Sequence, residues 1–99
     1  MYITNMTHFL DESGNIAREM PTEARELASF FALVVDKAST KLPRRLSATD
    51  IRCFEKGCAG TTRIEIIRST NEIRWMCSQC ENEGMISKWE GTKWDNRGG

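Results

Sequence analysis

Cys53, Cys58, Cys77 and Cys80 stand in the pattern C-x4-C-x18-C-x2-C. Two close pairs of thiols separated by a hairpin-length segment suit a tetrahedral ion, because each tight turn supplies two sulfurs and the hairpin brings the turns together. Gly57 and Gly60 flank Cys58 and let the backbone curl so that amide N–H groups point at sulfur. Four thiolates on a divalent ion leave a charge of −2 at the site, and Arg52 and Lys56 are near enough in sequence to offset part of it. The competing reading is a pair of disulfides. The opening residues, Met-Tyr-Ile-Thr-Asn-Met-Thr, have neither a basic nor an apolar export signature, which predicts a reducing, cytoplasmic setting. There, clustered thiols bind metal more often than they pair. Among metals, a closed thiolate site suits one structural zinc ion, although iron takes the same geometry. The spacing is not that of a plant-type iron–sulfur run.

The elements that must position these thiols follow from the local pattern. Thr61 to Arg68 is rich in β-branched residues, Ser69-Thr70-Asn71 reads as a turn, and Glu72 to Met76 alternates Ile73 and Trp75 with polar neighbours. Met85 to Glu90 is a third candidate strand. Leu46 to Arg52 reads as an extended approach to the first cysteine, and Tyr2-Ile3-Thr4 as a possible short strand. Upstream, Pro21 suits a first helical position, and Glu23 and Glu26 place negative charge at the positive end of the helix dipole. Ala24, Leu27, Ala28, Phe31, Val34, Val35 and Ala38 recur at helical spacing, with Arg25, Ser29, Ala32 and Asp36 opposite and Phe30 and Leu33 widening the stripe. This predicts a helix over 21–38, ended before Pro43.

Residues 51–90 resemble a zinc ribbon, in which two cysteine knuckles sit at one end of a three-stranded antiparallel sheet. The first knuckle departs from the family pattern, with four residues between its cysteines instead of two and no proline after the first. The whole chain is also similar to a group of small bacterial zinc-ribbon-containing proteins, on the strength of Ile3 to Leu10 and Gly91 to Asp95. That resemblance implies a bacterial cytoplasmic protein. The expected architecture is therefore a single α+β domain over 1–99: an irregular N-terminal segment (1–20), a long amphipathic helix (21–38), a zinc ribbon (51–90) and a tail (91–99).

Composition bounds the function. The chain has 99 residues with 14 basic and 14 acidic side chains, which leaves room for one small core that needs support beyond apolar burial. No apolar run approaches the roughly 18 residues of a membrane span. The neutral total hides a net −3 over residues 1–40 and a net +3 over 41–99. Trp75, Trp89 and Trp94, with Arg63, Arg68, Arg74, Lys88 and Lys93, offer a base-stacking reading. Core filling is the expectation for Trp75 and Trp89, and an exposed contact for Trp94. Asn96-Arg97-Gly98-Gly99 reads as a frayed tail. His8 with Asp11 and Glu12 has no nucleophile beside it, and a closed four-thiolate site lacks the open position of catalytic zinc. No enzyme is expected. A helix of roughly 18 residues is about 27 Å long, against about 20 Å for a six-residue strand, so the stripe outruns the sheet and either leaves apolar surface for another protein or a second copy or is covered by residues 1–20. A nucleic-acid-binding accessory using the basic ribbon face is the alternative.

Overall fold

The computed structural model describes residues 1–97. The chain forms β1 (Tyr2–Asn5), a 3-10 turn (Met6–Phe9), α1 (Thr22–Lys41), β2 (Ser47–Arg52), β3 (Thr61–Ile66), β4 (Ile73–Cys77) and β5 (Glu83–Ser87). The sheet order is β1-β5-β4-β3-β2. Strands β2 to β5 form an antiparallel meander, and β1 joins its far edge parallel to β5, with Tyr2 opposite Gly84 and Asn5 opposite Ser87. The α+β class therefore holds, but the three-stranded antiparallel sheet is corrected to a five-stranded mixed one. The N-terminal segment is also less irregular than expected, since Tyr2-Ile3-Thr4 supplies an edge strand. The reason is pairing: the extended approach to Cys53 hydrogen-bonds to β3, and residues 2–5 hydrogen-bond to the open side of β5, burying Thr4 while Ile3 faces outward.

One face of this sheet carries Ile64, Ile73, Trp75 and Ile86, and α1 lays Phe31, Val34, Val35 and Ala38 upon it; all eight are buried. Burying the isoleucine, valine and phenylalanine side chains among them is worth roughly 1.5–3 kcal/mol each. Trp75 and Trp89 are both in the core, as expected. The Trp89 indole N–H donates to the Asn71 carbonyl at 2.7 Å, which satisfies the polar end of an otherwise sequestered ring. α1 runs three residues past its expected end. Leu42 then takes the left-handed conformation (φ 50°) and its N–H closes on the Ala38 carbonyl. Within the stripe Phe30 is buried, whereas Leu33 stays 56 % exposed.

The C-terminal segment is a second correction. Over residues 91–97 it folds back onto α1 instead of fraying; Gly98 and Gly99 lie outside the described residues. Trp94 is half-buried against the core rather than an exposed contact, and it shares a cavity lining with Ile16 and Ala32. Its packing explains why Ala32, expected on the polar face, is buried. The Ser39 hydroxyl donates to the Trp94 carbonyl and accepts from the Asn96 amide. Asp95 accepts two hydrogen bonds from the Arg97 guanidinium, each 3.0 Å, and one from the Gly91 amide at 2.8 Å. The guanidinium in turn lies over the Trp89 ring, 4.5 Å from its centroid.

That arrangement has a pH signature. The Arg97 side chain holds the Asp95 carboxyl well below the usual carboxylate range, helped by the Gly91 amide and opposed by burial. A carboxyl whose pKa is depressed on folding stabilises fully above its unfolded pKa of about 4, and that contribution fades as pH falls through the folded value. The melting-temperature gap between the parent and Asp95→Asn should hold constant from neutral pH to about pH 5 and narrow below about pH 4. Parallel thermal scans across that range check it, and a gap that widened on acidification would contradict the assignment.

Candidate metal centre

The two cysteine turns lie at one end of the sheet. Cys53 follows β2 and Cys58 sits in the loop to β3, while Cys77 closes β4 and Cys80 lies in the turn to β5. Two backbone contacts hold the turns in register: the Cys53 amide donates to the Gly60 carbonyl at 3.0 Å, and the Ser78 amide to the Thr61 carbonyl at 2.9 Å. The Ser78 hydroxyl returns the link by accepting from the Thr61 amide. Phe54 anchors the first turn. Its ring lies 5.0 Å from Phe30 and 5.9 Å from Trp75, centroid to centroid.

All four sulfurs lie within 4.8 Å of one another. Cys53 and Cys80 are 3.6 Å apart, as are Cys58 and Cys77, far beyond bonded distance. Zinc–sulfur bonds of about 2.3 Å in a tetrahedron place sulfurs about 3.8 Å apart, so the shorter separations already match a closed four-thiolate shell. The four thiols are close enough to hold one metal ion, and the sequence-predicted ligands are brought together without exception.

Main-chain amides are aimed at two of the sulfurs. The Gln79 and Cys80 amides donate to Cys77 Sγ at 3.3 and 3.4 Å, and the Gly60 amide donates to Cys58 Sγ at 3.4 Å. Desolvation raises the Cys77 thiol, but the Cys80 and Gln79 amides, with the Cys80 and Cys58 side chains, outweigh it and bring the group down to about 6. Burial pushes Cys53 up. At Cys80 the Asn82 amide favours the thiolate, yet desolvation and the neighbouring sulfurs push the group up to about 12. Without a cation, four sulfurs this close cannot all ionise, so a bound metal must displace protons.

Gly60 shows how tightly the turns interlock. A Cβ there would stand 2.7 Å from Cys77 Sγ and 3.0 Å from the Gln79 Cβ. Gly57, at φ 82°, supplies the left-handed turn before Cys58. Sequence reasoning missed two contributors. Asn82 reaches both Cys53 Sγ, at 4.0 Å, and Glu55, at 3.3 Å; its place two residues after Cys80 was the only signal. Phe54 was detectable as the one large apolar side chain in an otherwise polar turn. Arg52 and Lys56 are exposed, and the contacts that reach sulfur come from main-chain amides and Asn82.

His8 is exposed, and Asp11 uses its carboxylate to accept from the Ser13 and Asn15 amides, shaping its own turn. No family model matches this chain, and neither does any curated protein or solved structure. Among the described residues no helix is long and apolar enough to cross a membrane.

Proposed function

We propose that this is a zinc-ribbon protein whose ion, held by Cys53, Cys58, Cys77 and Cys80, is structural, and whose role is self-association in a reducing bacterial cytoplasm. The observation carrying the metal reading is the closed cluster of four sulfurs, two of which receive main-chain amides. When bound, zinc supplies a cross-link between two turns and no reaction chemistry, because a four-thiolate shell leaves no open position. A non-catalytic role follows from that closure and from an isolated, exposed His8.

The self-association reading rests on the two unequal edges of the sheet. At β2, a register shift between Ala48 and Arg52 disrupts the ladder, and Asp50 and Arg52 charge the edge. Natural proteins use such bulges and charges to prevent strand addition. β1 has neither protection. Its residues, Tyr-Ile-Thr-Asn, are uncharged, and Ile3 is 75 % exposed. Ile3 also heads a row across the uncovered sheet face, beside Met85 and then Arg74, which is paired with Glu65 at 3.3 Å. A second copy meeting β1 across a twofold axis pairs two neutral strands and buries both copies of Ile3.

Native mass spectrometry tests both parts at once. The expected result is a dimer carrying one zinc per chain. Ile3→Glu, which opposes like charges at the axis, should shift it to monomer with the metal retained, raising the dissociation constant at least tenfold. A monomeric parent at high concentration would remove the self-association reading, and a zinc-free parent would remove the metal reading.

A further inference from the structure

The cations expected on the ribbon are dispersed. Arg63 lies on the outer sheet face, Arg74 is paired with Glu65, and Lys93 contacts Asn15 and the Trp94 ring. Positive charge converges elsewhere, at the end of the sheet opposite the metal centre. There the exit of α1, the β3–β4 turn and the C-terminal segment meet around a groove of about 310 Å³, into which Arg44, Arg68 and Arg97 all contribute.

Each segment is fixed. Left-handed Leu42 turns the chain back from the helix, and the Pro43 carbonyl accepts from the Ile66 amide at 2.9 Å, which seats Arg44 beside the end of β3. Arg68 rides on a turn closed by the Ile67 amide on the Glu72 carbonyl and the Asn71 amide on the Ile67 carbonyl. The Trp89 indole ties that turn to the ring under Arg97. Asp95 engages Nε and Nη2 of Arg97 and leaves Nη1 free to donate. Arg44 and Arg68 have no acidic partner among the described residues. Asp95 cancels the charge of Arg97, and Glu90, held by the Asn71 amide group at 3.2 Å, offsets part of what Arg44 and Arg68 contribute.

We infer that this groove binds a nucleoside phosphate. Guanidinium forks match phosphate oxygens bidentately, which a dispersed cation set does not. The volume exceeds what inorganic phosphate fills and lies at the lower bound of small-molecule sites. The floor is apolar, made of Leu42 (51 % exposed), Pro43 and Ile66, and suits a sugar or base face rather than a bare oxyanion. Arginine planes also stack on bases. The groove lies at the carbonyl end of α1, which repels anions, so affinity must come chiefly from Arg44 and Arg68, with Arg97 adding only the donor that Asp95 does not engage. This site is independent of the self-association reading, which concerns β1.

The test is titration of the ¹⁵N-labelled, metal-loaded protein at low salt with inorganic phosphate, adenosine monophosphate and a single-stranded RNA decamer. Adenosine monophosphate should shift the Trp89 indole and Asn71 amide signals, with inorganic phosphate at least tenfold weaker. Arg44→Ala and Arg68→Ala, both at exposed positions, should each weaken binding about tenfold while Arg63→Ala leaves it unchanged; Arg68→Lys should fall between parent and Arg68→Ala. Decamer affinity more than tenfold above the mononucleotide identifies nucleic acid as the source, and comparable affinity a free nucleotide. In the first case each arginine removed should lower the salt slope by roughly 0.7. The proposal is overturned by absent shifts with all three probes, by equal loss in Arg63→Ala, or by an oligoglutamate peptide that displaces the mononucleotide at equal concentration.

Discussion

Cys77→Ser is expected to yield a protein that retains less than a tenth of the parent's zinc and shows no cooperative melting transition. Cys77 is the most buried of the four thiols, receives two main-chain amides at sulfur and lies 3.6 Å from Cys58. A serine hydroxyl there does not ionise at neutral pH and is a poor zinc ligand. Structural zinc sites contribute about 10–16 kcal/mol to folding, against a total of about 5–15 kcal/mol for an ordinary domain. Losing most of that contribution leaves a core of this size with too little. The effect must spread beyond the turn, because β3 and β4 link the knuckles to Ile64 and Trp75, which α1 covers. Chelation of the parent should reproduce the outcome, and zinc should reverse it. Metal analysis with circular dichroism reads both, and a variant that held its metal and melted like the parent would refute the ligand set.

The second large effect is at Trp75. Its ring meets Phe30 at 5.1 Å, Phe31, Phe54 and Tyr2 at 5.9 Å, centroid to centroid. It therefore joins the helix, the first cysteine turn and β1 in one cluster. Gly84 makes room for it, since a Cβ there would come 2.9 Å from the indole and 2.5 Å from the Tyr2 carbonyl oxygen. Trp75→Ala should cost about 3–5 kcal/mol, the range for emptying a large aromatic site. The indole nitrogen, however, is buried without a partner among the described residues, and removing an unsatisfied donor returns about 1–3 kcal/mol. The net loss should then fall below that range, at about 2 kcal/mol. Trp75→Phe keeps most of the packing and deletes the same donor, so its cost should stay under about 1.5 kcal/mol. Urea unfolding of metal-loaded protein compares the two, and a Phe variant as unstable as the Ala variant would show that the indole nitrogen has a partner.

The cysteine spacing and the helix were legible because both are local signals. Cysteine turns show in intervals of two to four residues, and α1 shows in a period of 3.6. The end of α1 was harder. Ser39, Thr40 and Lys41 have no apolar period, yet Ser39 is buried because Trp94 and Asn96 dock on it from more than fifty residues away. That contact also hid the packing of Ala32. β2 and β1 were read as extended but not placed, since pairing is a property of two segments and neither alone names its neighbour. β5 was placed two residues late: Glu83 and Gly84 read as a turn, but Gly84 sits in the ladder because its missing side chain admits Trp75. Its early end follows from Lys88, whose φ of 56° breaks the strand. The arginine groove was invisible for the same reason as the sheet edges, since its three cations come from three distant stretches.

The parallel seating of β1 against β5 sets an order on biosynthesis. Tyr2 is made well before its neighbour Gly84, which leaves the peptidyl-transferase centre about 4 s later even at a translation rate of about 20 residues per second. Until then the opening strand has no template, and the meander must close before it can dock. Such a late, non-local step slows the search for the native state.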